Sequence, residues 1–277
     1  MVKMGTVWDR TVEVLNGRTG MIAPIALLGM VVPSVIRDGY VAFSTPGTIS
    51  FALVGSVLAI GTLVAMLWSQ LAIVAIATDP ATDAASARRQ AGARVLSSLG
   101  ITVLITLVAV LLVIPPVIVL MSSSGTIPYV GFSAAGSAML RTAPSQGRAA
   151  QFAILYFSVF TLIAIWIGAR LALLNAVILN ERRGVGAIRR SFQLTKGLTW
   201  RIIGVLILFA IVMLVSTWAA QSVTGIIFRL ALGAKGIATA TFLSGVVATI
   251  VTTVFTALAA VFTAQLYVAV REKLPQE

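Results

Sequence analysis

The cations Arg170, Arg189, Arg190 and Lys196, together with the carboxylate Glu181, fall within one segment, RLALLNAVILNERRGVGAIRRSFQLTKGLTWRIIG, residues 170–204. Guanidinium groups grip phosphate or carboxylate through paired N–H donors, so this set suits an anionic headgroup, with Glu181 orienting the basic cluster. Other chemistries are poorly served. The chain has no cysteine and no histidine, which removes thiol nucleophiles, thiolate and imidazole metal ligands and the commonest general base. Asp79 and Asp83 stand close in sequence, but no partner set for proton transfer or metal chemistry accompanies them. A phosphate-binding glycine loop of the Walker type is also missing. The expectation is a nonenzymatic protein with neither cofactor nor metal.

What must position these cations is membrane helix. Of 277 residues, 59% are hydrophobic and 10% charged, with a mean hydropathy of +1.04. A chain this apolar needs lipid as solvent for much of its surface. Six apolar segments stand out, at 21–40, 51–77, 95–121, 151–179, 202–228 and 237–270. Most exceed the roughly 20 residues that a helix needs to cross a bilayer, so they tilt, bend or protrude. The predicted fold is all-α: a polytopic membrane helical bundle of about six spans, forming a single integral membrane domain over 1–277. Pro24 and Pro33 predict a kinked or partly re-entrant first segment, and Pro115 with Pro116 a kink in the third. The start of the chain lacks the cleavage pattern of a secretory signal, so the first apolar segment reads as a retained span.

Short amphipathic helices are expected at the membrane surface. Residues 5–16 place Val7, Trp8, Val12 and Leu15 on one stripe, with Gly17 as a stop, and read as an N-terminal interfacial helix. In the elbow 180–196, Val185, Ile188, Phe192 and Thr195 recur at spacings of three and four, opposite Arg189, Arg190, Gln193 and Lys196. Gly197 would end this helix, and Trp200 with Arg201 would anchor the next span at headgroup depth. A weaker helix is expected over 84–96. The two elbows, each with an Arg-Arg step, make 50–121 and 151–228 degenerate parallel repeats. The connection 122–148, rich in Ser and Gly, reads as a loop.

Loop charges set an orientation. With both ends of the chain cytoplasmic, only Arg37, Arg141, Arg148, Arg229 and Lys235 fall outside, a strong positive-inside bias. The net charge of +12 then answers to anionic inner-leaflet headgroups, and no nucleic-acid partner is implied. Arg170 admits two readings. Deep in the bilayer it demands an anion, carbonyls or an aqueous cavity; at the inner interface it snorkels, and the apolar run after it continues beneath neighbouring helices. Gln70, Asn175, Gln221 and Gln265 either bond across helices or line a passage.

Arg170, the Glu181 and Gly184 elbow, Ala187, Arg190 with Ser191, residues 194–197, and Trp200 with Arg201 and Ile202 together resemble a bacterial membrane domain. That domain occurs at the N-terminus of some glycerophosphoryl diester phosphodiesterases and as stand-alone multi-span proteins. The resemblance implies a bacterial inner-membrane location. Catalysis in that family belongs to a separate soluble barrel, which is missing from this sequence. The leading expectation is a protein that binds, or helps move, an anionic amphipathic substrate such as a phospholipid. The alternative is a structural or assembly factor for another membrane protein.

Overall fold

In lipid every backbone hydrogen bond must close within the protein, so long apolar runs become helices. Six do so: Met4–Phe43, Ile49–Thr78, Ala84–Val119, Gln151–Asn180, Thr199–Leu232 and Ile237–Arg271. The computed structural model describes residues 3–124, 129–132, 138–141, 148–181, 184 and 186–273. These helices form an all-α bundle. In the 122–148 connection the described residues add one short antiparallel hairpin, β1 (Tyr129–Phe132) with β2 (Ala138–Arg141).

The first crossing consists of α1 (Met4–Ala26), a π-helical turn (Leu27–Val31) and α2 (Val32–Phe43). The expected stop at Gly17 does not occur, and residues 5–16 are the opening turns of α1 rather than a separate helix. Packing explains the difference. Val7, Thr11, Ile22, Ile25 and Ala26 are buried, and α1 lies against both α3 and α9, which outweighs the roughly 1 kcal/mol helix penalty of a glycine. The disturbance expected from the prolines takes the form of the π-turn. Pro33 has no N–H to give the carbonyl four residues back, and the widened turn sits just before it. Hydroxyls from α3 (Ile49–Thr78) reinforce this stretch: Ser69 Oγ donates to the Ile25 carbonyl at 3.0 Å, and Thr62 Oγ1 to the Pro33 carbonyl at 3.2 Å.

Helix α4 (Ala84–Ser124) follows α3 after the short link 79–83. The separate helix expected over 84–96 is therefore the first part of α4. The fourth apolar segment also differs from expectation. It is two helices, α5 (Arg148–Leu171) and α6 (Leu174–Asn180), separated by a turn at Ala172 and Leu173. Then come α7 (Gly186–Leu194), α8 (Thr199–Leu232) and α9 (Ile237–Arg271). Gly197 does end the elbow, with φ +82.

Cross-chain contacts gather the elbows at one end of the bundle. Arg10 on α1 pairs with Glu272 after α9 at 3.3 Å. Arg18 Nη1 donates to the carbonyls of Ile76 and Asp79, and Gln265 Nε2 to that of Ala77 at 2.6 Å. These donors meet carbonyls that the end of α3 leaves without intrahelical partners. Gln70 and Asn175, two of the polar groups within spans, bond to each other at 3.3 Å across α3 and α6. The core sits at this end too. Leu71, Ala72 and Ile73 are fully buried, whereas Leu53, Val57 and Ile60 on the same helix are more than 60% exposed and face lipid in a membrane. The core is thus concentrated at the elbows, and the opposite half of α3 turns much of its apolar surface outward.

Candidate functional site at the elbow end

The site is built on the break in the fourth apolar segment. Where α5 stops at Leu171, its last carbonyls lose their intrahelical partners. Ser191 Oγ takes the Arg170 carbonyl at 2.7 Å, with Thr195 Oγ1 at 3.4 Å. Arg170 answers with its side chain, Nη1 donating to the Phe192 carbonyl at 3.0 Å. Main chain and side chain of one residue thus clamp α5 to α7. The guanidinium carbon also lies 5.2 Å from the Trp166 ring centroid and 5.9 Å from that of Phe192, a cation held between aromatic faces. Arg170 Nε is buried without a hydrogen-bond partner among the described residues.

The apolar run that follows Arg170 is core. Ala176, Val177, Ile178 and Leu179 in α6 are buried beneath neighbouring helices. This matches the arrangement in which the run continues under other helices rather than as lipid-facing span.

Glu181, just past α6, accepts from Arg190 Nε with both carboxylate oxygens at 3.2 Å, and from the buried Tyr267 hydroxyl at 3.4 Å. Its side chain is only 17% exposed, against 30% for Arg190. A carboxylate this enclosed requires such partners, and the pairing fixes α7 against α6 and α9. Arg190 is therefore neutralised inside the elbow.

The face that helix α7 turns inward meets the predicted apolar stripe at Thr195 and otherwise runs mostly along smaller residues. Ala187, Ser191, Leu194 and the following Thr195 are buried, whereas Ile188 and Phe192 are only partly covered. Small residues and hydroxyls win because they let α7 approach the carbonyl end of α5 closely. Val185, from the predicted stripe, and the neighbouring Arg182 and Arg183 lie outside the described residues. Arg189, Gln193 and Lys196 form an exposed row at spacings of four and three, and Trp200 is 82% exposed just beyond.

Of the five site residues expected from sequence, the structure brings Glu181 and Arg190 into one ion pair and puts Arg170 in the joint beside them. Arg189 and Lys196 face outward. Ser191, Thr195, Trp166 and Tyr267 were not singled out as site residues. The one signal for them was the pair of hydroxyls Ser191 and Thr195, four residues apart, which marks a polar helix face seeking carbonyls. The acids of the first elbow serve local structure. Asp79 accepts from the Ala81 N–H at 2.9 Å and Asp83 from the Ser86 N–H at 3.0 Å, the latter capping α4.

Fold and site together define a polytopic helical membrane protein whose elbow carries a packed arginine joint. No protein-family model, curated protein or solved structure matches the chain.

Proposed function

We propose that this is a nonenzymatic protein of a bacterial inner membrane that binds, or helps move, an anionic amphiphile such as a phospholipid, with headgroups meeting the cytoplasmic elbow. One observation carries the reading. The Arg189, Gln193 and Lys196 row is exposed while the elbow carboxylates Glu181, Asp79 and Asp83 are bonded to the protein's own groups. Each exposed cation adds about 1 kcal/mol of attraction to an anionic leaflet. In this reading Arg170, Glu181 and Arg190 hold the shelf rigid, and Arg170 keeps a guanidinium edge at its base. The kinship with the phosphodiesterase-associated membrane domain forms part of the proposal and rests on the elbow motif alone. Native mass spectrometry with phosphatidylglycerol and phosphatidylcholine tests it. Arg189→Ala combined with Lys196→Ala should weaken phosphatidylglycerol retention by about tenfold or more, from two such contacts. Unchanged retention in that variant and in Arg170→Ala refutes the site. A partner protein seated on α7 with no lipid between would favour the assembly-factor reading.

A further inference from the structure

At the end opposite the elbows, an open cavity of about 820 Å³ lies between the end of α2 and the first turns of α3 and α9. Its lining follows helical periods. Arg37, Asp38, Val41 and Ala42 come from α2, the small residues Ala52, Gly55 and Ala59 from α3, and Gly245 from α9. The space exists because small side chains face one another while the helices are pinned beyond it on both sides. Toward the loop, Tyr40 stacks on Phe51 at 6.0 Å and donates to the Ser50 carbonyl, and Phe43 meets Phe242 edge-on at 5.5 Å. Deeper in, Thr62 holds the Pro33 carbonyl. Ala52, Ser56 and Ala59 are exposed, so the cavity opens to the surroundings of the bundle.

The chemistry within this cavity is narrow. Ser56 and Thr241 hydroxyls are spent on the Ala52 and Ile237 carbonyls of their own helices. Arg37 donates to Asp38 Oδ1 from Nε at 3.1 Å and from Nη2 at 2.8 Å. Both bonds converge on one oxygen. Asp38 Oδ2 and Arg37 Nη1 are left without partners among the described residues, and the two side chains are 21% and 34% exposed. An ion pair about 9 Å below the end of α2, at 1.5 Å per residue from Phe43, is costly among apolar helices unless it meets a polar ligand.

We infer that this cavity binds a phospholipid with a primary-ammonium headgroup, the ammonium donating to Asp38 Oδ2, a phosphate oxygen accepting from Arg37 Nη1, and an acyl chain lying along Gly55, Ala59 and Gly245. A purely anionic lipid meets the Asp38 carboxylate as a like charge. A trimethylammonium lipid has no N–H to give it. The cavity volume falls within the range of small-molecule sites, roughly 300–1,000 Å³.

This site shares no residue with the elbow, so the two readings fail separately. Purified protein is titrated with phosphatidylethanolamine, phosphatidylcholine and phosphatidylglycerol and read by native mass spectrometry. Wild type should retain phosphatidylethanolamine about tenfold better than phosphatidylcholine, the gain of one charge-assisted hydrogen bond. Asp38→Asn should erase that preference and, with the like charge gone, raise phosphatidylglycerol retention rather than lower it. Gly55→Phe, whose Cβ would meet only Tyr40 at 4.0 Å, should fill the cavity and lower phosphatidylethanolamine retention, with the melting temperature and phosphatidylglycerol retention measured alongside to separate cavity filling from unfolding. Arg189→Ala with Lys196→Ala should leave the preference intact. Equal retention of the two zwitterionic lipids by wild type, or a preference that survives Asp38→Asn, overturns the inference.

Discussion

Replacing Gly29 by alanine should destabilise the bundle although alanine is the better helix former. A Cβ at this position would sit 2.5 Å from Ser69 Cβ, 3.0 Å from its Oγ and 3.1 Å from the Ala65 carbonyl oxygen. Rotating the Ser69 side chain relieves only the second of these, because the other two obstacles are fixed to the α3 backbone. The π-turn must therefore move away from α3 by about 1 Å, to reach an ordinary carbon–carbon separation. Overpacking of this kind costs about 1–3 kcal/mol. The shift also weakens the Ser69 bond to the Ile25 carbonyl, worth about 1 kcal/mol, while alanine's helix propensity returns about 1 kcal/mol. The net loss is about 2 kcal/mol, or roughly 4–8 °C in melting temperature for a chain of this size. Tryptophan fluorescence during thermal unfolding in detergent reads it. Gly17→Ala is the control: Gly17 is also helical, but nothing lies within 4 Å of its Cβ position, so that variant should be neutral or slightly stabilised. Equal melting temperatures for Gly29→Ala and Gly17→Ala would refute the close approach of the π-turn to α3.

Three further outcomes follow from single contacts. Glu181→Gln removes the charge from a pair that is largely enclosed and should cost about 1–3 kcal/mol, read as faster proteolysis of the elbow, while Glu181→Asp recovers part of it. Arg18→Met deprives the end of α3 of donors to the Ile76 and Asp79 carbonyls and should cost about 1–2 kcal/mol in thermal stability; no change would mean that water serves those carbonyls equally well. Hydrogen bonds from the Ser86 hydroxyl and then its N–H hold the Asp83 carboxyl below its usual 3.8. The carboxylate's contribution to capping α4 is thus complete above that value and is lost as pH falls through the lower folded-state pKa. Acid titration of helicity should show this step in wild type and lose it in Asp83→Asn, which caps without titrating.

The six spans were legible because a helix long enough to cross lipid leaves an apolar run that little else produces. Finer features were legible only where a residue forces them. Gly197 marks the elbow's end through its positive φ, and Pro33 marks the π-turn through its missing N–H. The break after Leu171 left no such mark, since LALLNAVIL reads as unbroken helix. Its cause lies 20 residues downstream, in the Ser191 hydroxyl that accommodates the freed Arg170 carbonyl. The residues that α7 packs against its neighbours were legible only at Thr195, for a related reason. Periodicity weighs Ile188 and Phe192 above Ala187 and Ser191, but close approach to another helix end favours the small residues. Arg37 was read only as an outside charge and Asp38 was not singled out, because neighbours in sequence reveal nothing of the cavity that α2, α3 and α9 create around them.

The packing of α1 on α9 has a consequence for how the molecule comes into being. Arg10 waits for Glu272, 262 residues later, and Trp8 for Phe262, whose ring it meets at 6.4 Å. During synthesis α1 is therefore made well before the helix that completes its packing. Its buried side, with Val7 and Thr11, has only part of its cover until α9 leaves the ribosome and enters the bilayer. Closure of this seam must wait for α9, so a chain cut short before α9 leaves the buried side of α1 without that cover.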